Sequence, residues 1–249
     1  MTSPSTTASN FENPPLSEGA RIINTFIAPS KTFADLRRNS SWWVPWLLVS
    51  LASIAFLVTI DKKIGFEQAN RNIIEKSSKA EQFEKLPPEQ RAKQIQAATG
   101  ITRIITYANP VITLIVFVVI AALLMATFRF GVGAEVPFKT SLAIVSYANL
   151  PGIILAIVGI ASVMAVDPEG FNLRNPVATN PAYFMDPSGN PFLYSLLSAL
   201  DVFTIWTIVL TALGFAQNSK MKRGTAFTVV VVWYLVYKLG GAALAAAFS

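Results

Sequence analysis

The stretch VITLIVFVVIAALLMATF, residues 111–128, runs for 18 positions without a charged side chain. At 1.5 Å per residue, a helix of that length covers about 27 Å, close to the ~30 Å of a bilayer's hydrocarbon core. The apolar residues follow one another without the apolar/polar alternation of a membrane β-barrel strand, so the segment reads as a transmembrane helix. Four further runs share its character. Residues 44–60 and 141–166 carry no charge, residues 192–216 carry only Asp201, and residues 225–248 carry only Lys238. The whole chain agrees: 53% of its 249 residues are hydrophobic and 14% are charged, against ~25% charged in an ordinary soluble domain. Mean hydropathy is +0.49. The fold class is therefore an all-α polytopic membrane protein, a bundle of five transmembrane helices.

Two absences limit the chemistry. With no Cys, the chain has no disulfides, thiol nucleophiles, Cys-ligated zinc or iron–sulfur clusters. With no His, it has no imidazole base, no Ser-His-Asp triad and few routes to a transition-metal site. No paired-Asp motif of an intramembrane aspartyl protease is present either. The expectation is a non-enzymatic protein without catalytic residues, cofactor or metal. The third connection, residues 167–191, is rich in Asp, Asn, Pro and Gly and reads as successive turns; it lacks the alternating ligand spacing of a calcium loop.

Orientation follows from Lys and Arg in the short flanks. Arg21, Lys31, Arg37 and Arg38 precede the first run, Arg129 and Lys139 follow the second, and Lys220, Lys222 and Arg223 follow the fourth. The third connection carries only Arg174, beside Asp167, Glu169 and Asp186. This places the N-terminus in the cytoplasm and the C-terminus outside. The first connection, residues 61–103, falls outside in that topology, although it holds nine Lys/Arg against six acidic residues. It reads as helical and extramembrane, with Pro87-Pro88-Glu89 starting a helix that runs into the second span. Its interleaved charges and scarce aromatics offer no stacking platform or clean basic stripe, so nucleic acid is not expected as a partner.

Residues 1–16 are rich in Pro, Ser, Thr and Asn and read as a disordered tail. No cleavable secretory signal is evident, and the first span would act as a signal anchor. Residues 17–43 form an interfacial amphipathic segment. Ile22, Ile23, Phe26 and Ile27 share a helical face, Pro29 breaks the run, and Ser30 opens a second short helix bearing Phe33 and Leu36. Arg21, Phe26, Lys31, Phe33, Arg37, Arg38, Trp42 and Trp43 are the expected contacts with the lipid surface, since an amphipathic, basic helix beside a span suits anionic headgroups. The other reading is packing against the bundle's own cytoplasmic face. Trp42, Trp43 and Trp46 mark the headgroup level.

Within the membrane, the polar candidates are Asp201, Lys238, Asn149, Pro151 and Trp206. A carboxylate deep in a span is costly and must be paired or face water, so Asp201 marks either an ion pathway or a structural contact between helices. In the proposed topology Asp201 and Lys238 lie at matching depths in antiparallel neighbours, which makes them expected partners. Asn149 and Pro151 interrupt the third run, as a packing kink or as an ion site. Gly240, Gly241 and the alanines that follow give the fifth span a small-residue face suited to close contact within the chain or in a homo-oligomer.

Several of these stretches resemble one family. The lead FIAPSKTF (residues 26–33) followed by WWVPW (42–46) is similar to the start of bacterial members of the Yip family, five-span integral membrane proteins. The resemblance continues through FRFG (128–131), YANLP (147–151), Asn175-Pro176, Asn180-Pro181 and, most specifically, DVFTIW (201–206) with Gly214. It covers about residues 20–240. The resemblance implies the five-span fold and a cytoplasmic N-terminus. Eukaryotic members bind lipidated Rab-type GTPases and act in vesicle traffic, a role that does not carry over, because bacteria lack that Rab machinery and only about 40 residues stand ahead of the first span here in place of the long cytoplasmic N-terminal domain of eukaryotic members. The expectation is a scaffold or membrane-interaction protein of the bacterial cytoplasmic membrane, with the lipid bilayer and cytoplasmic proteins as partners. The rival reading is a small transporter or channel using Asp201 and Lys238.

Overall fold

A computed structural model describes residues 14–77, 79–219 and 221–248, with side chains as far as residue 243. It is 77% helical and, among the described residues, has no strand. Most of the N-terminal tail, residues 1–13, lies outside the described residues. Helices α1 (Glu18–Ile27) and α2 (Pro29–Asp35) form a hairpin ahead of α3 (Trp43–Lys63). Then come α4 (Phe66–Glu75), α5 (Ala80–Glu84) and the long α6 (Pro88–Ala126), which ends in a π-turn over Thr127–Gly131. The second half holds α7 (Phe138–Ala148), α8 (Pro151–Ala165), a 3₁₀ turn at Pro181–Phe184, α9 (Pro191–Ser198), α10 (Val202–Ser219) and α11 (Arg223–Phe248).

Five of these segments are long and apolar enough to cross a membrane: Trp43–Lys63, Pro88–Gly131, Phe138–Ala165, Val202–Ser219 and Arg223–Ala243. Their outer surface is apolar. On α6 alone, Ile104, Tyr107, Val111, Ile115 and Val119 are each about half exposed or more. Such a face suits lipid, which is as apolar as the side chains it touches.

Local chemistry sets the breaks. The α3 backbone stops at Gly65, whose φ of 83° lies in the left-handed region open to glycine, and its amide donates to the Ile60 carbonyl at 3.1 Å. Pro88 starts α6 at a position where no intrahelical N–H is needed. Pro110 sits inside the same helix, and Trp46 donates its indole N–H to the Pro110 carbonyl at 3.1 Å. The α7–α8 joint is a kink that supplies its own hydrogen bonds. Pro151 takes the first turn of α8, and the Asn149 amide donates back to the Val145 carbonyl at 2.8 Å.

One expected span differs from its sequence reading. Residues 192–216 do not form one helix; the chain breaks at Ala199–Asp201 between α9 and α10. Asp201 stands at the break, and its carboxylate accepts from the Thr204 backbone N–H and from the Thr204 and Thr179 hydroxyls instead of pairing with a charge on a second helix, as described below.

Close approaches between helices rely on glycine. The Phe56 ring of α3 lies over Gly159 of α8, where a Cβ would come within 2.7 Å of the ring. Gly214 of α10 faces Ile144 and Phe33, and a Cβ there would lie 2.4 Å from the Ile144 Cγ2. Phe128 and Phe215 stack at 4.6 Å in the same core, which gathers residues of α2, α6, α7, α10 and α11.

Candidate functional site: a latched hairpin and a capped span

The α1–α2 hairpin is tied to the bundle by a buried ionic network. Arg21 is 1% exposed. Its guanidinium donates from Nε and Nη2 to one oxygen of Asp35, at 2.8 and 2.7 Å, and from Nη1 to Glu18 at 3.3 Å. The second Glu18 oxygen accepts from the Tyr147 hydroxyl of α7 at 2.5 Å. Hydroxyls of Thr25 and Thr32 both donate to the Arg21 carbonyl at 2.8 Å, which closes the turn between the two helices. Burial by itself lowers the pKa of Arg21, but the hydrogen bond and charge of Asp35 outweigh it and hold the pKa above its ordinary value.

The hairpin packs along α7 and α10, with α2 near the ends where α6 meets α7 and α10 meets α11 and α1 reaching Tyr147 and Trp206 farther along those helices. Phe33 is fully buried against Gly214 and Ile144. Asn218 donates to the Phe33 carbonyl at 2.9 Å, and Arg37 donates to the Gln217 carbonyl. Ser40 and Thr140 share a hydrogen bond of 2.8 Å. The Phe26 ring meets Trp206 edge-on at 5.8 Å. A family model described as the Yip1 domain matches residues 23–244, from the middle of this hairpin to the last helix. The chain belongs to the Yip1 family. No curated protein and no solved structure matches it.

The hairpin of this Yip1-family chain corrects part of the expected lipid surface. Arg21 and Phe33 face the protein interior and do not reach lipid, because Asp35 and Tyr147 draw the one and the gap over Gly214 accepts the other. Phe26 is half-buried against Trp206, and Trp42 is half-buried against Trp46, with ring centroids 6.0 Å apart. Arg38 is half-buried, and Arg37 is exposed while holding Gln217. Lys31 and Trp43 face outward, joined by Ile23 and Ile27. The residues that sequence reasoning missed are Glu18, Asp35 and Tyr147. The Glu18/Arg21 spacing of three was a readable signal for one of them; nothing local pointed to the other two.

Asp201 is 9% exposed and acts as the N-cap of α10. One oxygen accepts from the Thr204 backbone N–H at 2.8 Å and from its hydroxyl at 3.0 Å. The other accepts from the Thr179 hydroxyl. Thr179 also accepts the Val202 amide on its carbonyl at 3.1 Å, so one residue of the third connection clamps the start of the helix. The Lys238 ammonium lies 5.8 and 5.9 Å from the Tyr234 and Tyr237 ring centres. The direct Asp201–Lys238 ion pair expected from matching depths does not form. Asp201 is spent on one of the unpaired N–H groups at the helix start, that of Thr204, and on two hydroxyls, and Lys238 on aromatic faces.

Proposed function

We propose that this Yip1-family protein works without chemical turnover as a membrane scaffold. In this reading it sits in a bacterial cytoplasmic membrane with its N-terminal hairpin on the cytoplasmic face and its C-terminus outside. The observation that carries the reading is the latched hairpin. Its buried ionic network holds α1 in one orientation, with Ile23 60% exposed, Ile27 75% exposed and Lys31 exposed nearby. A fixed apolar ridge with a basic neighbour suits the boundary between headgroups and acyl chains of an anionic leaflet, where cytoplasmic proteins can be gathered. The bias of Lys and Arg in the short flanks supports the orientation. The use of Asp201 as a helix cap favours scaffold over transporter, because a carboxylate holding three donors is not free to carry an ion.

The chain has no cysteine, so single-Cys variants give a clean test. In right-side-out membrane vesicles, an impermeant maleimide should label Ser188→Cys directly and Asn39→Cys only after permeabilisation. The reverse pattern would overturn the orientation. Liposomes containing the purified protein should pass protons and monovalent ions no faster than empty ones. A flux abolished by Asp201→Asn would replace the scaffold reading with a transporter.

A further inference from the structure

Cations gather at the end of the bundle nearest α2. Arg37 follows α2 and donates to the Gln217 carbonyl near the end of α10. Ser40 meets Thr140 at 2.8 Å, which brings Lys139 to the same end. Phe128 stacks on Phe215 and shares a core with Ala226, so Arg129 of the π-turn and Lys222 and Arg223 between α10 and α11 stand there too. All five cations are exposed, and none forms an ion pair among the described residues. Within residues 36–42, 127–140 and 217–224 the sole acid is Glu135. A surface of one sign without internal counter-charges favours a partner of the opposite sign.

The same rim carries bare aromatic surface. Phe130 is 82% exposed, with the Arg129 guanidinium 5.7 Å from its ring centre, and Phe138 is 40% exposed. Lipid would cover such rings if they stood at its level, but the lipid-facing band has already ended. On α6 the last large apolar side chain exposed before Phe130 is Leu123, and Arg129 lies six residues farther, about 9 Å along the helix. On α11 the outward residues after Arg223 are Gly224 and Thr228, and the first large apolar one is Val232, nine residues or about 13 Å from Arg223. The headgroup layer on one side of a bilayer is only about 5–7 Å thick. The rim therefore stands past the headgroups, in water. A bare ring among unpaired cations fits a protein segment that brings carboxylates and an apolar side chain together. Nucleic acid fits it less well, because Glu135 would meet the phosphates.

We propose that this rim is the docking face for an acidic segment of a cytoplasmic partner protein, with carboxylates on Arg129, Lys139, Lys222 and Arg223 and an apolar side chain on Phe130. The face supplies the partner chemistry of the scaffold reading and rests on that reading. Lipid nanodiscs leave both sides of the protein open, so binding there succeeds or fails whichever way the chain faces, separately from the orientation and flux tests.

Fluorescence anisotropy of the full-length protein in phosphatidylcholine nanodiscs tests the docking. The probe is a short labelled peptide of glutamates interrupted by phenylalanines; a second peptide carries serines in place of the phenylalanines. The expected result is saturable binding of the first peptide that weakens roughly tenfold as salt rises from about 0.05 to about 0.5 M. Lys222→Glu/Arg223→Glu should weaken it about tenfold or more. Phe130→Ser should weaken it about fivefold and leave binding of the serine peptide unchanged. Lys62→Glu/Lys63→Glu, exposed at the far end of α3, should change nothing. Unchanged binding in either rim variant, or an equal loss for both peptides in Phe130→Ser, would overturn the proposal. Displacement of the peptide by an RNA oligonucleotide of equal charge would show a general polyanion surface and overturn it as well. The height of the rim has its own readout. A fluorophore on Phe130→Cys, the sole cysteine of that variant, should be quenched by iodide in water and not by nitroxide on lipid headgroups. The reverse would assign Phe130 to the bilayer and remove the docking face.

Discussion

Replacing Arg21 with methionine tests whether the hairpin is held by its ionic latch. Methionine keeps much of the length of the side chain and removes the guanidinium. Asp35, 7% exposed, is then left as a buried carboxylate without its counter-charge. Removing one partner of a buried pair costs roughly 3–5 kcal/mol. Glu18 keeps its contact to Tyr147, so the loss falls on the α1–α2 joint. An expected penalty of about 3–5 kcal/mol corresponds to roughly 10²–10⁴-fold more frequent opening of the hairpin. Amide hydrogen exchange of α1 in lipid nanodiscs reads this directly, because it reports local opening without unfolding the bundle. Arg21→Met/Asp35→Leu replaces the pair with apolar groups and should recover most of the protection, as such swaps are often near neutral. Unchanged exchange in Arg21→Met, or a double variant that opens as often as the single one, would refute the latch.

Tyr147→Phe removes the hydroxyl that joins α7 to Glu18 and should raise α1 exchange by about 1.5–3 kcal/mol of lost protection, with little effect on α11. Gly214→Ala puts a methyl group 2.4 Å from the stiff Ile144 Cγ2 and 3.1 Å from the Phe33 ring, so it should lower thermal stability by about 1–3 kcal/mol and loosen the docking of α2. Adding Ile144→Ala should relieve part of that strain, and strict additivity of the two changes in melting experiments would exclude the clash. Asp201→Asn should cost little, because asparagine caps helices about as well as aspartate, whereas Asp201→Ala should cost about 1–2 kcal/mol by thermal unfolding. Equal losses in the two would mean that the charge, and not the cap, is what matters at this position.

The five spans are legible because a bilayer demands length and hydropathy, and both are properties of contiguous sequence. Residues 111–128 announce a crossing whatever they pack against. The break at Ala199–Asp201 is not legible in the same way. Neither Pro nor Gly stands there, and an aspartate inside an apolar run looks like a buried charge in search of a cation. Its role as a cap depends on Thr179, 22 residues upstream, which meets it only once the third connection folds back. Arg21 was misread for a related reason. Apolar and basic residues on a short helix beside a span fit a lipid headgroup and an internal carboxylate equally well. The choice falls to Asp35, 14 residues on, and to Tyr147, 126 residues on. In each case a polar group that hydropathy charges as a cost is satisfied at the end of a helix, where unpaired backbone groups or a second short helix supply partners. Hydropathy therefore says which segments cross, and the polar residues near the helix ends decide how those crossings are joined. The hairpin follows from that division: its apolar side chains would let it lie on any membrane surface, and Glu18, Arg21, Asp35 and Tyr147 commit it to this bundle.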